Sequence, residues 1–402
     1  MINVAVLGYG TIGSGAVEVI ETNQAVLKKR TGQEVNVKYV LDLREFPGTS
    51  VEKKVIHDFA IIENDKDVQV VIETMGGLEP AFTFAKKSLQ AGKAYVTSNK
   101  ELVAKYGAEL IALAKANNTN FLFEASVGGG IPIIRPINEC ITGDVILEIS
   151  GILNGTTNYI LSKMTYDGWT FEQALKDAQD KGYAERNPEA DVEGHDPCRK
   201  IAILASLAVG QQVDFEDIYT EGITKITAED IRYADALGCK IKLLGTYKMV
   251  DGEHFAMVAP KLVPNTRPLS GVSDAFNSIS VIGNMLGESM FYGAGAGKLP
   301  TASAVIGDVV QAINSMNKNT GIIWNPEKLV LSSTENFAQR VFIRMKDSVD
   351  KEKVNAAFGT VEVVEAAGVE GEYAFVTDIL KEKEFKEKIG EFEEILGYIR
   401  CS

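Results

Sequence analysis

A glycine-rich turn after a strand-like segment constrains the fold of this chain more than any other feature. The apolar run INVAVL at 2–7 leads into Gly8-Tyr9-Gly10-Thr11-Ile12-Gly13, and an amphipathic helix pattern runs from Ile12 to about Lys29. Glycines in this spacing let the backbone approach a pyrophosphate, which the unpaired N–H groups of the helix N-terminus can bind. The turn predicts a dinucleotide site at Gly8, Gly10, Thr11, Ile12 and Gly13, although a strand–helix turn without a ligand has the same pattern.

Strand-like and helix-like segments alternate through the first third of the chain. Strand patterns at 35–41, 68–77, 94–99 and 121–126 are separated by helix patterns, two of which lie at about 80–90 and 101–116. Such alternation is typical of the α/β class with a Rossmann-type doubly wound parallel sheet. We place this dinucleotide-binding domain at 1–132, ending within the glycine- and proline-rich junction VGGGIPIIRPI.

Longer helices and antiparallel-looking strands follow, which indicate an α+β domain at 133–318. Thr170 and Gln173 form a capping-box pattern, and Asp196 is predicted to cap a helix that begins at Pro197 and continues to about Ala208. A glycine cluster at 293–308 opens a helix at about 301–316, which we expect to pack back on the first domain. The βαββαβ order of 335–402 predicts a small ferredoxin-like domain.

The composition argues against several classes of protein. The 41 Lys and Arg against 55 Asp and Glu give a net charge of −14, which disfavours nucleic-acid and anionic-membrane partners. The chain has no apolar run of about 18 residues that could span a membrane. Its four cysteines are scattered without a CxxC pair, as expected for reduced thiols. We therefore expect a cytoplasmic protein with no nucleic-acid or membrane partner.

The stretch GYAERNPEADVEGHDPCRK at 182–200 carries the candidate chemistry. Glu185, Asp191 and Asp196 can bind the ammonium group of a small substrate, and Lys200 can pass a proton. Acid clusters are more often solvated surface, and Asp196 could be only a helix cap. Combined with a dinucleotide site, the stretch suggests hydride transfer on a small-molecule amino-acid substrate.

The second strand leaves the choice of dinucleotide open. Asp42 at its end favours the ribose hydroxyls of NAD, whereas Arg44 two residues later favours the phosphate of NADP. Both side chains are therefore candidate cofactor contacts, and neither NADP nor NAD is excluded.

Six segments resemble, in order, the motifs of homoserine dehydrogenases, from residue 1 to about 310. They are VAVLGYGTIGSG, AYVTSNKELVA, FEASVGGGIPIIRP, GILNGTTNYIL, GYAERNPEADVEGHDPCRK and GAGAGKLPTASAV. The resemblance implies reduction of L-aspartate 4-semialdehyde to L-homoserine with NADP or NAD, in threonine and methionine biosynthesis. It also implies a homodimer or homotetramer in which 133–318 is the catalytic and dimerisation domain. Two alternatives stay open: a dehydrogenase of another amino-acid aldehyde or oxo acid, and a non-catalytic nicotinamide-sensing regulatory protein.

The resemblance also assigns roles to single residues. Lys200 matches the proton donor, Lys100 a lysine that contacts substrate or cofactor, and Gly297 a late cofactor contact. The substrate-binding acids match Glu185, Asp191 and Asp196. A monovalent cation, Na⁺ or K⁺, would be bound by Glu124 and the main-chain oxygens of Val127, Gly129 and Ile131.

The residues alone allow plainer roles. Lys100 is equally compatible with a surface lysine, and Glu124 with a helix cap. Thr156 is a candidate for binding substrate, but it could equally close an Asx-type turn.

The C-terminal segment resembles an ACT domain, the small fold that senses amino acids. Its run from Lys346 to Lys351 lacks the glycine that usually lets the backbone approach a ligand after the first strand. We therefore predict an ACT-like module that pairs subunits, without threonine feedback.

Overall fold

The computed structural model describes residues 1–402, and the chain divides into two compact units. The first unit comprises Met1–Val145, Ala202–Phe215 and Phe291–Leu329. The second comprises Ile146–Ile201, Glu216–Met290 and Val330–Ser402. The sequence predicted three domains, at 1–132, 133–318 and 335–402. This division into two units does not test those boundaries, which remain a prediction.

The first unit is built on a six-stranded sheet in which all neighbouring strands are parallel. Its strands are β1 (Ile2–Leu7), β2 (Val35–Leu41), β3 (Val55–Ile56), β4 (Val68–Glu73), β5 (Ala94–Thr97) and β6 (Phe121–Leu122). Their order across the sheet is β3-β2-β1-β4-β5-β6, as in doubly wound dinucleotide-binding folds. The predicted Rossmann-type sheet is confirmed.

Five helices connect these strands. They are α1 (Thr11–Thr22), α2 (Gln24–Thr31), α3 (Phe59–Asn64), α4 (Ala81–Gln90) and α5 (Lys100–Ala116). The single helix predicted from Ile12 to about Lys29 is wrong, because Asn23, a residue of low helix propensity, interrupts it between α1 and α2. The strand predicted at 121–126 also ends early, at Leu122, because a short 3₁₀ turn begins at Glu124.

The second unit contains most of a mixed ten-stranded sheet. Its order is β13-β12-β7-β10-β11-β20-β16-β18-β17, with β9 beside β11. The strands are β7 (Ile146–Ile152), β9 (Tyr219–Thr220), β10 (Cys239–Val250), β11 (Glu253–Pro264), β12 (Phe276–Gly283), β13 (Gly287–Ala294), β16 (Val341–Lys346), β17 (Glu362–Val364), β18 (Glu372–Val376) and β20 (Ile395–Cys401). Two small sheets pair β8 (Gln211–Gln212) with β14 (Asn325–Lys328) and β15 (Ala338–Gln339) with β19 (Leu380–Lys381).

Eight further helices complete the chain. They are α6 (Gly155–Asp167), α7 (Phe171–Asp180), α8 (Glu189–Val192), α9 (His195–Val209), α10 (Ala228–Ala236), α11 (Lys298–Asn314), α12 (Lys351–Phe358) and α13 (Glu382–Ile389). The capping box predicted at Thr170 and Gln173 is confirmed at the start of α7. The prediction that Asp196 caps a helix is wrong, since α9 already begins at His195. Within the first unit, α11 contributes Val305 and Val309 to the core that also holds Val17 and Ile20 of α1.

The C-terminal segment follows the predicted βαββαβ order. Its strands lie in the order β20-β16-β18-β17, and each neighbouring pair is antiparallel. Strand β20 also pairs in parallel with β11, where Lys261 lies opposite Arg400. The segment therefore extends the large sheet and does not form a separate one. Among the helices, none has both the length and the apolar character needed to cross a bilayer.

Candidate active site

The glycine turn between β1 and α1 has the shape that a pyrophosphate site requires. A Cβ added to Gly13 would lie 1.9 Å from the carbonyl oxygen of Gly8, so the turn tolerates only glycine there. A Cβ added to Gly10 would meet no protein atom within 4 Å. Thr11 and Ile12 are the first two residues of α1, where backbone N–H groups lack partners within the helix. The open space beside Gly10 therefore lies where a phosphate would bind.

Asp42 follows β2 and faces this turn. Its Oδ2 accepts the Tyr9 N–H at 2.8 Å, and its two oxygens accept Nε and Nη2 of Arg44, each at 2.9 Å. These bonds to Arg44, above all, hold the pKa of Asp42 well below its usual range. The main-chain oxygen of Asp42 and the carboxylate of Glu45 contact the His57 ring and raise the pKa of that imidazole.

A cavity of about 400 Å³ lies over these residues, lined by Gly8, Gly10, Asp42, Arg44 and His57 among others. One carboxylate and one guanidinium thus lie where the ribose of a dinucleotide is expected. The predicted glycine, Asp42 and Arg44 contacts are brought together, and the choice between NAD and NADP stays open.

A buried polar network organises the carboxyl edge of β4 and β5. Glu73 is fully buried, accepts the Thr97 hydroxyl at 2.6 Å, and has its pKa raised by burial. Asn99 caps α5 by accepting the Leu102 N–H, and it donates to the Gly77 carbonyl at 2.6 Å. Lys100 follows as the first residue of α5 and is half-buried. The sequence prediction missed Glu73, although an acid at the end of a buried strand was the available signal.

Asp191, Asp196 and Lys200 form one cluster, joined by a residue that the prediction missed. The Nζ of Lys200 donates to Asp196 Oδ2 and to the Leu153 carbonyl, each at 2.8 Å. Asn154 Nδ2 donates to Asp191 at 2.7 Å and to Asp196 at 2.8 Å. Asn154 also caps α6 by accepting the Thr157 N–H. The signal for it was the capping asparagine of NGTTN.

The remaining predicted substrate contacts, Glu185 and Thr156, differ in their exposure to solvent. Glu185 is exposed. Thr156 is buried in α6 and donates its hydroxyl to the Tyr183 carbonyl at 2.6 Å, which fixes the segment that leads to Glu185.

Glu124 has partners other than those predicted for it. Its carboxylate accepts the backbone N–H groups of Ile133, Ile134 and Arg135 at 2.6–2.9 Å. It is 3% exposed and lies 3.7 Å from the Arg135 guanidinium. The carboxylate thus caps the turn that follows, which is the alternative that the sequence left open.

The other predicted cation contacts lie nearby in the same unit. Gly129 lies against the 293–297 segment, since its Cβ would approach the Gly295 oxygen to 2.4 Å. Gly297 immediately precedes α11 and is its N-cap residue.

Two family models match successive parts of the chain, which together span most of residues 8–310. Residues 8–124 match the family model described as homoserine dehydrogenase, NAD binding domain, and residues 132–310 match the model described as homoserine dehydrogenase. The homoserine dehydrogenase of Bacillus subtilis is 41% identical over 368 residues, which cover 89% of this chain and 84% of the relative. That of Synechocystis is 43% identical over 317 residues, covering 78% and 73%.

Solved structures have the same fold. A homoserine dehydrogenase from Thiobacillus denitrificans superposes with a TM-score of 0.89 at 32% identity, covering 100% of this chain and 98% of that one. A hyperthermophilic archaeal homoserine dehydrogenase, solved in complex with NADPH, gives a TM-score of 0.67 at 27% identity over 77% of this chain and 97% of its own.

Proposed function

The chain belongs to the homoserine dehydrogenase family and is an NAD(P)-dependent oxidoreductase, and we propose the following roles for its residues. The observation that carries the proposal is the Lys200 ammonium, held by Asp196 and by the Leu153 carbonyl. These two bonds fix the position of the ammonium group. In this proposal Lys200 is the proton donor for the reduction of L-aspartate 4-semialdehyde.

The reaction needs a hydride at the aldehyde carbon and a proton at its oxygen. The nicotinamide supplies the hydride when it is bound. Lys200 gives its proton to the oxygen as negative charge develops there, which yields the alcohol of L-homoserine. Asp196 remains beside the resulting amine and stabilises its reprotonation. In the oxidative direction the same amine removes the hydroxyl proton.

The substrate ammonium is bound by carboxylates in this proposal. Glu185 is available because its side chain is exposed, and Asp191 is oriented by Asn154. Asp196 takes part through its contact with Lys200. Thr156 acts indirectly, since its hydroxyl holds the Tyr183 carbonyl. Lys100, at the start of α5, is proposed to contact substrate or cofactor.

The glycine turn proposed to bind a dinucleotide borders open space, whereas the carboxylate proposed to bind a cation already has protein partners. The residues Gly8 to Gly13, Asp42 and Arg44, with Gly297 as a late contact, are proposed to bind NADP or NAD. The Glu124 carboxylate is already bonded to three N–H groups and adjoins Arg135. A Na⁺ or K⁺ ion here would therefore depend on the main-chain oxygens of Val127, Gly129 and Ile131.

We also propose a homodimer or homotetramer. Exposed apolar residues, which are typical of contact surfaces between subunits, lie in and around the hairpin of β12 and β13. They are Phe276, Met285, Leu286 and Met290.

The C-terminal segment is proposed to be an ACT-like module without threonine feedback. Cooperative inhibition of turnover by sub-millimolar L-threonine would overturn that last point.

One assay tests the function as a whole. We expect oxidation of L-homoserine with NAD or NADP, and measuring both with and without added Na⁺ or K⁺ also gives the cofactor preference and the cation effect. Reduction of L-aspartate 4-semialdehyde is compared with that of related amino-acid aldehydes and oxo acids. Faster turnover of one of those compounds would make the enzyme a dehydrogenase of a different substrate.

A further inference from the structure

A second pocket, of about 270 Å³, lies on one face of the large sheet, within the second unit. Alternate residues of β10, namely Leu244, Thr246 and Lys248, line it. The intervening Gly245 faces the opposite side, where its Cβ would lie 3.2 Å from Ile201 of α9. The pocket is therefore on the sheet face opposite the helix that carries Lys200, and none of the roles proposed above uses it.

Two residues that line this pocket each have a buried polar atom without a hydrogen-bond partner. These atoms are the hydroxyl oxygen of Thr246 and the side-chain carbonyl oxygen of Gln339. These residues are only 6% and 7% exposed. Native proteins leave few such atoms unpaired, because burial removes the water that would otherwise bond to them. A ligand with both an acceptor and a donor would satisfy the two.

Lys261 adds a buried positive charge. Lys261 is only 4% exposed. Its ammonium group and the Lys248 ammonium each lie 5.9 Å from the centre of the Phe337 ring. Burial lowers the pKa of Lys261 to about 8, so the amine still binds a proton at neutral pH.

The other cations of the pocket are already neutralised. Lys248 pairs with Glu148 at 3.2 Å, and the arginines at 267 and 340 pair with Glu288 and Glu362. Glu148 also acts on Lys261, so one carboxylate faces two lysines and one net positive charge remains in the pocket. The walls beside it include the apolar side chains of Phe337 and Ile379.

We propose that this pocket binds a small 2-hydroxycarboxylate. The ligand carboxylate pairs with Lys261 and accepts the Thr246 hydroxyl. The ligand hydroxyl donates to the side-chain oxygen of Gln339, and the aliphatic part packs on Phe337. A zwitterionic amino acid fits less well, because its ammonium would enter a pocket whose lining side chains include four cations and one carboxylate. Inorganic phosphate would leave the apolar wall uncovered.

Four probes of similar size separate these contributions. We expect (S)-2-hydroxybutanoate to bind the full-length protein at least about 10-fold more tightly than butanoate, which lacks the donor. The same margin is expected over 2-aminobutanoate, which is a zwitterion, and over inorganic phosphate. Isothermal titration calorimetry gives the four dissociation constants. Equal affinity for the hydroxy acid and butanoate, or preferred binding of either other probe, would reject the proposed ligand class.

Variants locate the binding. Lys261→Met should weaken binding of (S)-2-hydroxybutanoate by about 10-fold or more, since it removes the charged partner. Lys242→Met is the matched control, because Lys242 lies opposite Lys261 on β10 and is also buried, but it does not line the pocket. Binding that survives Lys261→Met unchanged would overturn the proposal.

Thr246→Val covers the case in which Lys261→Met fails to fold. Its hydroxyl has no partner in the free protein, so the substitution should leave the thermal midpoint unchanged or raise it. Binding should nevertheless weaken by roughly 3-fold to 10-fold, because the ligand loses one hydrogen bond. An unchanged dissociation constant, or no binding by the unsubstituted protein at millimolar concentrations, counts against the site.

Discussion

Lys200 is the proposed proton donor and is not a proposed dinucleotide contact. Its removal should therefore affect turnover more than cofactor binding. We expect Lys200→Ala to lose turnover by a factor of about 100 or more, the usual contribution of a general acid. NADPH binding, followed by its fluorescence, should stay within about twofold, because Lys200 is not among the proposed dinucleotide contacts. Lys176→Met, on the exposed side of α7, serves as the control. A near-normal rate for Lys200→Ala would remove this residue from the mechanism.

The buried carboxyl group of Asp308 should make the free energy of unfolding depend on pH. Its carboxylate accepts the Glu124 N–H and the Arg135 guanidinium, each at 2.8 Å. Burial, followed by the charge of Glu124, raises its pKa to about 7. The folded protein therefore holds this proton more tightly than the unfolded chain. The free energy of unfolding should fall as the pH rises from about 4 to about 7, by at most about 4 kcal/mol.

Asp308→Asn, which cannot ionise, should remove that fall. Urea unfolding at a series of pH values, followed by the fluorescence of the buried Trp324 in the same unit, measures it. Glu109→Gln, at an exposed ion pair with Lys86, is the control. If Asp308→Asn kept the slope of the parent protein, the pH dependence would have another source.

At the level of single residues, the sequence predicted the acids and the lysine but not what joins them. Asp191, Asp196 and Lys200 lie within one short segment, so their proximity could be expected. Asn154 comes from a distant segment, and only the fold brings its amide between the two aspartates. The buried Asp308 was missed for the same reason, since its partners Glu124 and Arg135 are far away in sequence.

Among the elements, the turn between β1 and α1 contains two glycines with different roles. Gly13 is required by the fold, and Gly10 by the proposed ligand. Gly10→Ala should leave the thermal midpoint nearly unchanged, because its φ of −82° suits any residue and no protein atom lies near. Dinucleotide affinity should fall by at least about 10-fold, since the new methyl group occupies the phosphate position. Gly13→Ala should instead destabilise the protein by about 1–3 kcal/mol or more through its clash with Gly8. Thermal unfolding and NADPH titration distinguish the two variants; unchanged affinity in Gly10→Ala would contradict the proposed site.

Element types could be predicted better than element ends. The order of strands and helices in the first unit follows from the period of apolar residues, which reports the face that each element buries. The ends depend on contacts that the period does not show. The strand at 121–126 stops at Leu122 because the Glu124 carboxylate bonds to residues 133–135. The start of α9 was misplaced: the helix begins at His195, and the Asp196 carboxylate bonds to Lys200 and Asn154.

For the whole molecule, the sequence predicted the C-terminal order of elements but not its continuity with the large sheet. The link is the short parallel pairing of β11 with β20. Edge strands carry no sequence signal for the partner that they choose, because the pairing uses backbone groups. Buried Arg400 marks this junction, since its guanidinium bonds to Glu382 and to Glu221, each at 2.6 Å.

Arg400 should therefore stabilise the C-terminal segment and the rest of the second unit together. Arg400→Met leaves Glu382 buried without its counter-ion, and we expect a loss of about 3–5 kcal/mol in the free energy of unfolding. Lys388→Met, at a pair within α13, should change it by less than about 1 kcal/mol. Urea unfolding is followed in a Trp324→Phe background, so that Trp169 reports on the second unit alone. Hydrogen exchange of β16 and β18 in the parent protein monitors the C-terminal segment separately. If this segment unfolded in an earlier transition of its own, the junction would not couple it to the rest of the second unit.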